Sequence, residues 1–219
     1  FVLTSGPRKR YGGKNRAPQT RLASAAMIRD ILFKAKEYAR KEKAGESQEF
    51  RLELAALSRV FDGMPVQMAA MKANDMETAV RIGEEFGLNY VLTMAYDASQ
   101  VIRDLDRKDL RFIIGPLYGT SFSVEENGKS LSLGAELEKE GVHAAISTGH
   151  PEMNLEILST QLILMTDRGL SRKEAIRRHV WRGWHGLSGR VYGNFLPSRH
   201  SGAWKGRRPG DLGRRSPGV

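Results

Sequence analysis

The 219-residue chain carries 35 Lys plus Arg against 25 Asp plus Glu, a formal net charge of +10, and no cysteine. That length fits one large domain or two small ones, and the lack of Cys excludes a disulfide scaffold, a thiolate metal site and a cysteine nucleophile. No apolar run approaches the roughly 18 residues of a membrane span. The chain opens on Phe1 without a charged-then-apolar leader, so the expectation is a fragment or processed chain, cytoplasmic and without an export signal.

Phe1–Thr4 is a short apolar run that breaks into "GPRKRYGGKNRAPQT", where three glycines and two prolines forbid a regular element. Thr20 is a natural N-cap for a helix through about 43, with Ile28, Ile31, Leu32, Ala35 and Tyr38 at helical spacing. A second helix over about 49–61 places Leu52, Leu54, Leu57 and Phe61 on one apolar face. The pattern then alternates. Strands are expected at 64–71 ("MPVQMAAM"), 90–95, 111–115 and 143–147. Between and after them come helices at 75–87 (closed by Gly87), 97–105, about 133–140, and 152–167 bearing Leu155, Leu158, Leu162 and Leu164. A last helix opens at Ser171, with Glu174 three residues on forming a capping box.

The charge is not spread evenly. Residues 1–176 hold 25 Lys plus Arg and 24 Asp plus Glu, a net of +1. Residues 177–219 hold 10 basic residues and the single acid Asp211, a net of +9, together with all three tryptophans and 9 of the 23 glycines. This composition break marks a boundary near 177, dividing a body (1–177) from a basic Gly/Arg/Trp-rich tail (178–219) expected to be disordered. Basic residues interleaved with aromatics could bind RNA through phosphates and stacking. The tail has almost no apolar periodicity, however, and nucleic acid is not the expected partner.

Four short apolar strands, each followed by a helix, indicate an α/β fold with a parallel sheet and right-handed crossovers. A doubly wound sheet and a (β/α)8 barrel share this local pattern. No G-x-G-x-x-G follows any strand, so a dinucleotide site lacks its phosphate turn.

Several segments in linked order resemble the amidohydrolase superfamily, in particular its imidazolonepropionase-like and prolidase-like branch. They are "RKRYGGKNRAPQTR" (8–21), "GMPVQMAAMKANDMETAVRIGEEFGLNYVLTMAYDA" (63–98), "RFIIGPLYG" (111–119), "GVHAAISTGHPEMN" (141–154) and "LSRKEAIR" (170–177). The resemblance covers about residues 1–177 and matches the second half of such a protein. It implies a partial (β/α)8 TIM barrel of the metal-dependent hydrolase type, a small-molecule substrate, and hydrolysis of C–N bonds in cyclic amides or dipeptides. In that family imidazoles and a carboxylate hold a divalent metal such as zinc, which lowers the pKa of a bound water to about 7.

Position by position, the ligands of that metal are missing. The first-strand H-x-H has no counterpart within this sequence. The fifth-strand "HAHR" reads "AAMK", placing Ala69 and Met71 at the two histidine positions and Lys72 at the arginine. The sixth-strand histidine is Met94, and "STDHP" reads "STGHP", with Gly149 for the aspartate and His150 retained. Ala and Gly have no ligating side chain, and a thioether is a poor ligand for zinc-like ions. The expectation is therefore no metal, no cofactor in this chain, and a catalytically inactive remnant. Its remaining candidates for substrate binding are His150, at a strand's carboxyl end, and Lys72, which could attract a carboxylate. Their simpler readings are a leftover histidine and an exposed lysine at a helix start. Met64, Met68, Met71, Met76 and Met94 lie on or beside apolar strands, where core packing explains them better than a soft-metal site.

The tail has one further property. Members of the resembled family end on a segment like "GTLEPGKDADLVIWDGDP". Arg199–Ser216, followed by a proline codon, can be back-translated with suitably chosen synonymous codons so that a one-base displacement spells that segment throughout. The tail is thus expected to be an out-of-frame translation of an amidohydrolase gene's end. Its basic charge would then reflect G+C-rich codons and say nothing of a partner.

Overall fold

The computed structural model describes residues 1–4, 16–107, 109–121, 123–142, 144–150 and 153–176. The tail 178–219 and His143 lie outside the described residues, and with them every expectation made for the tail.

Helix α1 spans Arg21–Ala44. Thr20 caps it as its spacing requires, the hydroxyl oxygen accepting the Ala23 N–H at 3.0 Å. Helix α2 (Leu52–Ser58) folds back against α1 and runs into a 3-10 turn, Arg59–Asp62. The expected apolar face holds only in part, because Leu54 is buried whereas Leu52 stays 70% exposed. Then come β1 (Val66–Ala69), α3 (Ala73–Glu85), β2 (Tyr90–Thr93), α4 (Ala98–Leu105) and β3 (Phe112–Ile114). After a 3-10 turn at Val124–Gly128 follow α5 (Leu133–Lys139), β4 (Ala145–Ile146), α6 (Ile157–Asp167) and α7 (Arg172–Ile176).

The last two helix starts compare differently with the sequence reading. α6 begins five residues after the expected 152. Ile157 and Leu158 donate to Asn154 O and Leu155 O, three residues back, so the chain is still turning there. Leu155 finds nothing to pack on and is 67% exposed. α7 begins as expected, with the Glu174 N–H donating to Ser171 Oγ at 3.2 Å, one half of the capping box.

The four strands form one sheet in the order β1-β2-β3-β4, every pair parallel. Consecutive order without reversal lets the successive crossover helices stand side by side in one layer. Phe1–Thr4, read from sequence only as an apolar run, lies parallel along the outer edge of β1. Leu3 N–H donates to Ala69 O at 2.9 Å, and Ala69 N–H donates to Phe1 O at 2.8 Å.

Register separates the two sheet faces. Met68, Leu92 and Phe112 are aligned, fully buried, and packed with Met76, Ala79 and Ile102 of the helices in the main core cluster. Tyr90 shares this face, and its ring lies so close to α3 that a Cβ on Gly83 would come within 2.4 Å of it. The adjacent row, Val2, Ala69, Thr93, Ile113 and Ala145, points to the opposite face. None of its members belongs to the main cluster, and Val2 is 45% exposed.

Candidate functional site at the carboxyl ends of the strands

Because all four strands are parallel, the segments after Ala69, Thr93, Ile114 and Ile146 emerge on the same end of the sheet. Lys72 leaves β1 in extended conformation and occupies the N-cap position of α3. Its ammonium lies 3.4 Å from Asp97 Oδ2, and the Ala73 N–H donates to the same oxygen at 3.3 Å. Asp97 in turn occupies the N-cap position of α4. Lys72 is thus half-buried in an ion pair that ties the β1 and β2 ends together, where the simplest sequence reading had a solvated lysine.

His150 sits exposed in the turn after β4 and makes no hydrogen bond or ion pair among the described residues. No contact among the described residues joins it to Lys72. The methionines at the positions where the resemblance expects histidines also face the core. Met71 is buried in the main cluster beside Met68 and Met76, and Met94 is packed against it. Met94 has φ +57, a left-handed backbone rare for a residue with a Cβ.

At Gly149, the position where the resemblance expects an aspartate, the structure favours glycine. Its φ is +65, and a Cβ built on it would lie 2.7 Å from Pro116 Cδ. The Gly149 N–H donates to Ser147 Oγ at 2.9 Å, closing the turn tightly. Pro116, in the loop after β3, occupies the space into which a Cβ at position 149 would project.

Sequence reasoning missed Gln161, the residue that clamps these two loops. It is fully buried on α6. Its Oε1 accepts the N–H groups of Leu117 (2.9 Å) and Tyr118 (3.4 Å), and its Nε2 donates to Ser147 O (3.3 Å). The signal was present: Gln161 lies on the same helical stripe as Leu158, Leu162 and Met165, so a polar group there must find polar partners.

A charged cluster flanks the same end. The Arg21 guanidinium pairs with Asp75 Oδ1 at 3.1 Å and also with Glu125 Oε1. Lys129 pairs with Glu126 at 2.7 Å and lies 5.5 Å from the centre of the Tyr96 ring. Burial pushes the Asp75 carboxyl above its ordinary range, with Arg21 pulling the other way. None of these pairs forms a metal centre. Among the described residues there is no group of three or more His, Asp or Glu able to hold an ion. With Ala69, Met71, Met94 and Gly149 at the strand ends, the donor set present does not fit the divalent metal that the resemblance implies.

No protein-family model matches the chain, and no curated protein does. Among solved structures, the chain is similar to an amidohydrolase from Thermotoga maritima MSB8, with a TM-score of 0.76 and 28% identity over 81% of this chain and 48% of that one. The chain therefore spans about half the length of the amidohydrolase it matches. The likeness supports the amidohydrolase superfamily and, coarsely, a hydrolase-like ancestry. No helix among the described residues is long and apolar enough to cross a membrane.

Proposed function

We propose that this chain is part of an amidohydrolase barrel of the imidazolonepropionase-like or prolidase-like branch that has lost hydrolysis and retains a small-molecule binding role at the carboxyl ends of its strands. The partial-barrel reading is supported by the consecutive parallel strand order and by the half-buried row Val2–Ala69–Thr93–Ile113–Ala145. That row is the face a closed barrel would turn inward. Lys72 and His150 are the polar groups that would meet a ligand at this end. The protein is cytoplasmic in this reading.

The observation that carries the loss of hydrolysis is Gly149. A missing aspartate alone could be restored by one substitution. Here the φ of +65 and the approach of Pro116 Cδ leave no room for the side chain, so the loop has adapted to its absence. With no ligand set among the described residues to activate a water, neither hydrolysis of a cyclic amide nor of a dipeptide has its nucleophile.

Elemental analysis of the purified full chain, together with hydrolysis assays on dipeptides and cyclic amides in added zinc, tests the proposal. The expected result is well below one metal per chain and no turnover above buffer. Stoichiometric zinc with turnover that a chelator abolishes would overturn it and restore hydrolysis of those C–N bonds as the function.

A further inference from the structure

Between Ile114, where β3 ends, and Leu133, where α5 begins, lie the 18 residues 115–132. Connections longer than about 12–15 residues are uncommon in compact domains, and those that occur often carry function. Both ends of this one are fixed. The Leu117 N–H donates to the buried Gln161 at 2.9 Å, and at the start of α5 the Ser132 hydroxyl donates to Glu136 at 2.7 Å. The stretch between them reaches past its own strand to the ends of β1 and β2.

There it rests on the residues that position Lys72. Gly128 lies against Asp97 so closely that a Cβ on it would overlap Asp97 Oδ1. The other oxygen of that carboxylate holds Lys72 at 3.4 Å. Lys129 lies 5.5 Å from the centre of the Tyr96 ring. Glu125 pairs with Arg21, which also holds Asp75, three residues beyond Lys72. The outer side of the 3-10 turn meets solvent, with Val124 78% exposed, while Glu125 and Glu126 are buried.

The two ion pairs of this turn differ in what they join. Lys129 and Glu126 pair at 2.7 Å within the turn, both side chains nearly buried. When the turn lifts they leave together, so neither charge is stranded without the other. The turn's own hydrogen bonds travel with it as well. The Glu126 N–H donates to Ser123 O at 3.0 Å and the Lys129 N–H to Glu126 O at 2.9 Å. Arg21–Glu125 instead bridges the turn and α1, and lifting breaks it. Arg21 then keeps Asp75, at 3.1 Å, and Glu125 gains water.

We propose that residues 123–129 form a strap closed over Lys72 and latched by Arg21–Glu125, and that a ligand reaches Lys72 only when the strap lifts. This gating role rests on the reading that the strand ends take a small molecule, whereas the strap's movement can be measured with no ligand present.

Acetylation of the full-length chain with N-hydroxysuccinimidyl acetate, followed lysine by lysine by mass spectrometry, measures that movement. Lys34, exposed on α1, is the reference. In the wild-type chain Lys72 and Lys129 should both react more slowly than Lys34. Glu125→Gln removes the charge of the latch and should speed both, relative to Lys34, by about fivefold, the difference between a charged and a neutral hydrogen bond. Gly128→Ala keeps every charge and wedges the turn away from Asp97, so it should speed the same two lysines. A shift of the Asp97 carboxylate alone would free Lys72 and leave Lys129 slow. Faster Lys72 without Lys129, or no change at either in whichever variant keeps the wild-type urea midpoint, would overturn the strap. Loss of the small-molecule reading would leave these rates as they are, so the two ideas fail separately.

Discussion

The two faces of the sheet are built from the same kinds of residue and end in different states. On the helix side, Met68, Leu92 and Phe112 have no exposed surface. One residue further along each strand, Ala69, Thr93 and Ile113 are only half-buried. Neither β propensity nor hydrophobicity distinguishes Phe112 from Ile113. What distinguishes them is a partner layer: α3, α4 and α5 cover one face, whereas on the other only Val91 is fully buried and the row through Ala69, Thr93 and Ile113 joins no part of the main core. A parallel sheet is normally covered on both faces, and that missing cover is the strongest physical argument for the proposed partial barrel.

The largest expected effect tests this difference directly. Phe112→Ala should cost about 3–5 kcal/mol, the range for emptying an aromatic site in a closed core. Ile113→Ala should cost only about 1–2 kcal/mol, because its side chain already meets solvent on one side. Urea midpoints of the two variants give the comparison. Equal losses would show that the second face is covered in solution and would remove the asymmetry.

A middle-sized effect concerns how the strand ends are held. Gln161→Ala removes the acceptor of the Leu117 N–H and the donor to Ser147 O. It should cost about 1–3 kcal/mol through those buried groups. Hydrogen exchange reads the cause as well as the amount. Protection of the Leu117 amide should fall by more than that of core β3 amides, since the clamp acts on the loops. A uniform loss across the sheet would make Gln161 a general packing residue.

The alternation of strands and helices was legible because each crossover helix has a clear apolar stripe and each strand a short apolar run. The parallel order followed from that alternation. Phe1–Thr4 was not legible as an edge strand, since four residues ahead of a Gly/Pro-rich loop carry no period, and its pairing depends on β1, more than sixty residues away. At the strand ends, the identities of Ala69, Met71, Met94 and Gly149 were readable, but the packing around them was not. Nothing in "STGHP" announces that Pro116, from another loop, fills the space beside Gly149. The Lys72–Asp97 pair was hidden for the same reason: two ordinary surface residue types meet only because β1 and β2 are neighbours. Long-range contacts of single side chains leave no local pattern to read.

The smallest effect separates backbone strain from packing at Met94 and Asp106, the two non-glycine residues with positive φ among the described residues. Asp106 is exposed at the C-cap of α4, with φ +48. Asp106→Gly relieves a left-handed conformation and loses no burial, so it should stabilise the protein by about 0.5–1 kcal/mol. Met94 has the same backbone problem, but its side chain packs against the helix-side core. Removing it should forfeit about as much as the strain relief returns, so Met94→Gly is expected to leave stability unchanged or lower. Thermal denaturation of the two variants in one buffer resolves the pair. If Met94→Gly proves as stabilising as Asp106→Gly, its side chain contributes nothing to the packed face. The left-handed turn after β2 would then be set by the backbone alone, with the methionine side chain adding nothing to it.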